Sequence, residues 1–190
     1  FLYGLMRGKN YSLQRSVRKF ERISEDEDKV SAISLYEGYG RYHSLRPMQI
    51  SSEIRKLTKL LERENVKSIL EIGSARNGNL AIWADFAQEL YSIDLPESDK
   101  RRTTLDKKDF LKKMFEDTQY VFIRGNSHDE KVQRRIEKSI QDIDFAFIDG
   151  DHTYEGVKKD FYFYKNLVKS GGMIAFHDIE NESFGVSEFW

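Results

Sequence analysis

Short apolar runs alternate with amphipathic stretches from about residue 49 to the end of the chain. Ile69, Leu70 and Ile72 make the first run and Leu90–Asp94 the second. Tyr120–Arg124, Ile143–Asp149 and Met173–His177 follow. Near-continuous apolarity, rather than strict alternation, marks strands buried on both faces of a parallel sheet. Between these runs apolar side chains recur every three or four residues. The stretches are Ile54, Leu57, Leu60 and Leu61; Leu80, Trp83, Ala84 and Ala87; and Phe110, Leu111, Met114 and Phe115. Val132, Ile136 and Ile140, then Tyr154, Val157, Phe161, Tyr164 and Val168, complete the set. That period predicts helices with one apolar face. Ser51 and Ser52 offer N-caps to the first, and Gly171-Gly172 reads as the stop of the last, a helix over Thr153–Lys169. Five strands alternating with helices predict an α/β fold with a mostly parallel sheet and helices on both faces.

The first 46 residues break this rhythm. Arg7, Lys9, Arg15, Arg18, Lys19 and Arg22 are followed by the acidic run Glu25–Asp28. Such charge blocks predict a solvated helical hairpin or loop. Tyr36, Tyr39, Tyr42 and His43, interleaved with Gly38 and Gly40, make either a lid over an active site or an aromatic patch packed on the core. Arg46-Pro47 marks the boundary, since a residue before proline avoids helical backbone. The expected organisation is an N-terminal extension over 1–46 and a main domain over 47–190. The chain stops at Trp190 just as a new helix begins, so a C-terminally incomplete domain is expected.

Composition removes several classes of function. Of 190 residues, 31 are Lys or Arg and 32 Asp or Glu, for a net charge of −1. A chain so balanced offers no broad basic surface, and nucleic acid is not expected as a partner. With no cysteine, thiol nucleophiles, disulfides and thiolate metal sites are excluded, leaving oxygen and imidazole as the only ligand chemistry. No apolar run approaches the ~20 residues that span a bilayer, so no membrane partner is expected and a cytoplasmic location is the default.

Candidate chemistry gathers at the predicted carboxyl ends of the strands, where open α/β sheets bind ligands. The first strand carries Glu71 and runs into Gly73-Ser-Ala-Arg-Asn-Gly78. This loop has neither the middle glycine of the dinucleotide fingerprint nor the Gly-Lys-Ser/Thr of a P-loop. By itself it is either a ligand loop or a tight strand-to-helix connection. Asp94 ends the second strand about 20 residues on, where an acidic residue can accept hydrogen bonds from ribose hydroxyls; the alternative is a strand-end cap. Strand four ends in Asp149-Gly-Asp-His-Thr-Tyr154 and strand five in His177-Asp178. If these strands are neighbours, Asp149 and Asp178 approach each other, and two close carboxylates call for a proton or a bridging cation. Mg²⁺ is one natural bridge. His152 lies where it can take a proton at neutral pH. Asp151 or Thr153 is expected to cap the next helix. His177 is either a ligand or a core histidine, and His128 a surface or ligand-edge residue rather than a catalyst.

Together these stretches resemble class I S-adenosylmethionine-dependent methyltransferases, over about Gln49 to the C-terminus. The closest look is to the branch of macrocin-type sugar O-methyltransferases and cephalosporin-hydroxylase-like proteins, through Phe147–Gly156, Asp160 and Gly171–Asp178. The resemblance implies a Rossmann-like, doubly wound fold of seven strands, of which the last two, a hairpin, are absent from this sequence. It implies that Glu71, Gly73, Ser74, Ala75 and Gly78 wrap the methionine part of S-adenosylmethionine. Asp94 would hold the ribose, Leu95 would also border the cofactor, and Asn126 and Ser127 would contact the adenine. Asp149, which also borders the cofactor site, would bind Mg²⁺ together with His177 and Asp178. His152, with Asp149, would be catalytic, as general base. Two departures stand out: Arg76-Asn77-Gly78-Asn79 replaces a glycine-richer pattern, and His177 stands where related enzymes often carry a carboxylate. The implied activity is O-methylation of a sugar or small natural product. The alternatives are a metal-independent methyltransferase of the same fold and a non-catalytic binding domain within a larger protein. Self-association into a homo-oligomer is left open.

Overall fold

The computed structural model describes residues 49–75, 77–95 and 118–190. The expected N-terminal extension with its aromatic lid, Arg76, and the linker and helix of residues 97–115 lie outside the described residues.

The described residues divide into two compact units, one containing residues 49–63, 75 and 77–83, the other residues 64–74, 84–95 and 118–190. In the first, α1 (Ser51–Arg63) carries Ile54 and Leu61 on its buried face, with Glu53 in the first turn and Arg63 in the last. Those charges suit the helix dipole. The same unit holds α2 (Gly78–Trp83), all of whose residues are buried. Helical spacing suggested that α2 runs on through Ala84 to Ala87. It stops at Trp83 instead, because the chain must turn to bring the Gln88 and Glu89 amides onto Lys67 O, at 2.7 and 3.0 Å.

The second unit is a five-stranded parallel sheet: β1 (Ser68–Ile72), β2 (Glu89–Asp94), β3 (Gln119–Arg124), β4 (Ile143–Ile148) and β5 (Val168–Phe176). The order is β3-β2-β1-β4-β5. Strand order therefore reverses between β1 and β4, the switch point at which doubly wound sheets bind ligands. Leu70, Ile72, Ile93, Ala146 and Ile148 from the sheet pack with Ile136 of α3 (Glu130–Ser139) and with Val157 and Tyr164 of α4 (Tyr154–Tyr164). At the amino-terminal edge Asp144 Oδ2 accepts from the amides of Lys67 and Ser68, at 2.6 and 2.9 Å, pinning β4 to β1.

The opposite edge positions the site. Ile72 faces Ile93 on β2 and Ile148 on β4, while Ile148 faces Phe176 on β5. The ladder then continues past each strand. Gly73 N donates to Ile93 O at 2.9 Å, Asp149 N to Ile72 O at 2.9 Å, His177 N to Ile148 O at 3.1 Å and Gly125 N to Asp94 O at 2.8 Å. One row thus carries Asp94, Gly73, Asp149 and His177 along the carboxyl edge.

A second predicted boundary is corrected. Val168, Gly171 and Gly172 do not end a helix but belong to β5; the helix ends at Tyr164 and tightens through a 3₁₀ turn over Lys165–Leu167. The register against β4 jumps from Ile143↔Val168 to Phe145↔Met173. Glycines serve an irregular strand here as they would a helix stop: Gly171 has φ +79°, and a Cβ on Gly172 would lie 2.9 Å from Asp144 O.

Candidate active site

The second unit brings the polar ends of β4 and β5 together as strand adjacency requires. His152 Nε2 lies 3.1 Å from Asp178 Oδ2 and 3.5 Å from Asp149 Oδ1. His177 Nδ1 lies 3.2 Å from Asp149 Oδ1 and 3.1 Å from Asp178 Oδ2. One donor atom from each of the four residues falls within 4.8 Å of all the others.

Local structure explains each placement. Asp149 follows the last residue of β4, and its amide is still held by Ile72. Gly150 follows it, and a Cβ there would lie 3.2 Å from the Ile72 side chain and 3.3 Å from Asp160 Oδ2. The turn then closes on Asp151, whose Oδ1 accepts from Thr153 N at 2.9 Å. Thr153 caps α4 by accepting from Gly156 N at 3.0 Å. With capping done by Thr153, Asp149 is left to face the two imidazoles. Asp178 has φ +59°, an uncommon left-handed backbone for a non-glycine residue. His152 is held from the C-terminal segment: Gly185 N donates to His152 O at 2.9 Å, and the Phe184 ring lies 4.7 Å from the imidazole. Helix α5 (Gly185–Phe189) starts there. Nothing in the sequence pattern singled out Phe184 or Gly185, since their role depends on where the chain folds back.

The electrostatics follow from this packing. Hydrogen bonding to Asp149 pulls the His152 imidazole above its ordinary value against the cost of burial, with the charges of Asp149 and Asp178 helping. For His177, burial opposes protonation but is outweighed by Asp149 and Asp178, so it too is raised. Burial works against ionisation of Asp149 as well, and the two histidines overcome it, leaving its carboxyl below the usual range. Each imidazole therefore takes up a proton more readily than a free one, and a proton taken up by His152 is stabilised where it lands.

The remaining predicted residues spread along the same edge. Gly73 has φ +87°, and a Cβ there would fall 2.0 Å from Asp149 O, so β1 and β4 meet there backbone to backbone. Ser74 is buried, its Oγ donating to Ser92 Oγ at 3.3 Å. Glu71 is buried within β1. Asp94 Oδ1 accepts from the amide of exposed Leu95 at 2.8 Å. After β3, Asn126 Oδ1 accepts from His128 N at 2.9 Å, and Ser127 O accepts from Tyr164 OH at 3.0 Å. Ala75 and Gly78 belong to the other compact unit; Ala75 has φ +43° and is exposed, and buried Gly78 opens α2.

Of the two positions expected for His128, surface or ligand edge, the structure shows a half-buried side chain in the turn after β3. Its Nε2 stands 3.1 Å from Oδ1 of Asp160, which is fully buried, though neither atom has a well-aligned hydrogen bond. Burial pushes the Asp160 carboxyl up to about 6, and Ser127 and His128 pull it down by less. An unfolded aspartate titrates near 3.9, so the stabilising proton is fully present below about pH 4 and its contribution is lost as pH rises through about 6. Asp160→Asn keeps the neutral shape at every pH. Its melting temperature relative to wild type is expected to rise between about pH 4 and 7; a difference that stays flat across a scanning-fluorimetry series would contradict this.

The four clustered donors suit a divalent cation in chemistry: two carboxylate oxygens and two imidazole nitrogens, one from each residue, lie within 4.8 Å of one another. Asp94, Gly73 and the turn at Ser127 lie along the carboxyl edge, where doubly wound sheets bind ligands. No helix among the described residues is long and apolar enough to cross a membrane.

Comparison with known proteins agrees with this architecture. A family model described as a methyltransferase domain matches residues 67–179. An uncharacterized protein, R132, of Acanthamoeba polyphaga mimivirus is 28% identical over 130 residues, covering 67% of this chain and 58% of its own length. The O-methyltransferase TomG from Streptomyces achromogenes, solved with S-adenosylmethionine, superposes with a TM-score of 0.58 at 13% identity, over 93% of this chain and 82% of that one. MycE, a methyltransferase of the mycinamycin biosynthetic pathway solved with Mg, S-adenosylhomocysteine and mycinamycin VI, gives 0.54 at 18% identity, over 83% and 41%. The chain thus spans less than two thirds of the mimivirus relative and of MycE. The family match covers more than half of the chain, which belongs to the methyltransferase domain family and is built on the class I S-adenosylmethionine-dependent methyltransferase fold.

Proposed function

We propose that the chain transfers the methyl group of S-adenosylmethionine to a hydroxyl oxygen of a sugar or small natural product, with His152 as general base beside a divalent cation. The observation that carries this reading is the convergence of His152 with Asp149, His177 and Asp178 at the edge where Gly73 leaves β1. MycE, with Mg, S-adenosylhomocysteine and mycinamycin VI in its complex, supports the same chemistry by likeness of fold.

The residues divide the work. Gly73 and Ser74 receive the methionine part of the donor, Asp94 its ribose, and the Asn126-Ser127 turn its adenine. The acceptor hydroxyl lies toward His152. The new bond joins its oxygen to the methyl carbon as the carbon–sulfur bond breaks, and the hydroxyl proton passes to His152 Nε2. Asp149 and Asp178 stabilise the imidazolium so formed. Asp149, His177 and Asp178 would hold the cation, whose contribution is to polarise the acceptor oxygen. Alignment of donor and acceptor supplies much of the remaining acceleration.

A metal-independent version of the same reaction has one observation in its favour: two imidazoles and two carboxylates can neutralise each other without an ion. Calorimetric titration with S-adenosylhomocysteine is expected to show saturable binding, and no heat at millimolar ligand would overturn the cofactor reading. Turnover undiminished by EDTA would select the metal-independent version.

A further inference from the structure

The donor set at the ends of β4 and β5 is not an all-oxygen one. His177 places Nδ1 against both carboxylates, and His152 adds a second imidazole. Magnesium takes oxygen ligands and retains its waters. Imidazole nitrogen suits zinc, iron, nickel and copper, and affinity for a mixed nitrogen–oxygen site climbs along the first-row series. His177 has little freedom to leave the cluster. Its side chain is 14% exposed, its backbone amide is tied to Ile148 O, and its ring lies 6.3 Å from Phe147.

We infer that this cluster selects a first-row transition cation such as Mn²⁺, Fe²⁺ or Zn²⁺ over Mg²⁺, and that His177 sets the preference. The inference rests on the reading of the cluster as a divalent-cation site. Coordination by His152 as well would add nitrogen to the set and leave the preference unchanged.

The test uses the whole chain, stripped with chelator and titrated separately with MnCl₂ and MgCl₂ by calorimetry. Loss of the free-Mn²⁺ electron paramagnetic resonance signal serves as a second measure of binding. Wild type is expected to bind Mn²⁺ roughly tenfold or more tightly than Mg²⁺. His177→Asp, which restores an all-carboxylate position, is expected to close most of that gap by losing Mn²⁺ affinity. S-adenosylhomocysteine binding in the same samples reports on the fold and on the cofactor site. Equal or tighter binding of Mg²⁺ by wild type overturns the inference and leaves the cation site standing. Binding of neither ion, with S-adenosylhomocysteine still bound, overturns both while sparing the cofactor reading. The wild-type comparison decides the matter even where His177→Asp fails to fold. A full Mn²⁺ preference in a folded His177→Asp protein would remove His177 as its source.

Discussion

His152→Gln is expected to lower kcat by a factor on the order of 10²–10⁴, the usual worth of a positioned general base, while S-adenosylhomocysteine binds as in wild type. In the proposed mechanism the proton acceptor is Nε2, and the atoms placed to stabilise its charged form are Asp178 Oδ2 at 3.1 Å and Asp149 Oδ1 at 3.5 Å. Glutamine fills similar space without a basic nitrogen, so the Phe184 contact and the Gly185-to-His152 backbone bond are retained. The loss should fall on kcat, because the proton moves only as the new bond forms. Steady-state kinetics with a hydroxylated acceptor, paired with calorimetry, separates the possibilities. A variant as fast as wild type would remove His152 as the base; one that loses cofactor binding in proportion would assign it a structural part instead.

Gly73→Ala should cost about 2–4 kcal/mol of stability and abolish binding of S-adenosylhomocysteine. Two penalties coincide at this residue. Its φ of +87° is strained for alanine, and the added carbon would sit 2.0 Å from Asp149 O and 2.5 Å from Asp149 C. Neither backbone can yield cheaply, since Gly73 N is bonded to Ile93 O and Asp149 N to Ile72 O. Gly171 provides the control, with φ +79° and nothing among the described residues within 4 Å of a Cβ. Gly171→Ala should cost only the backbone term, about 1–2 kcal/mol. Urea denaturation of both variants measures the difference, and equal losses would show that the β1–β4 contact is not what demands glycine at 73.

The two substitutions probe opposite sides of one junction. Gly73 brings the backbone of β1 against that of Asp149, and Asp149 in turn faces both imidazoles. A change in the glycine turn is therefore felt at the acid–base cluster through a backbone contact, with no mobile intermediary. Asp160 lies under the same strand end, 3.3 Å from where a Cβ on Gly150 would stand, and its contact with His128 links α4 to the turn after β3.

Much of this was legible in the linear order of residues. Continuous apolar runs such as Ile69–Ile72 and Phe145–Ile148 announced buried strands, and their polar successors announced the edge where Asp149, His152, His177 and Asp178 gather. The offset between Asp149 and His152 is local, three residues across a capped turn, so sequence alone determined that they belong together. Where periodicity misled, the causes were specific. Gly171-Gly172 looks the same whether it stops a helix or bends a strand, and only pairing with β4 distinguishes the two. Ala84 and Ala87 kept helical spacing but had to yield to the turn into β2.

Tertiary structure alone decided the rest. That Asp178 and His177 meet Asp149 follows from β5 lying beside β4, a matter of strand order that hydrophobic pattern cannot encode. That His128 turns inward to a buried carboxylate on α4 follows from packing between elements far apart in the chain. Local spacing determines which side chains share an edge or a face; which edges become neighbours depends on burying the whole sheet at once.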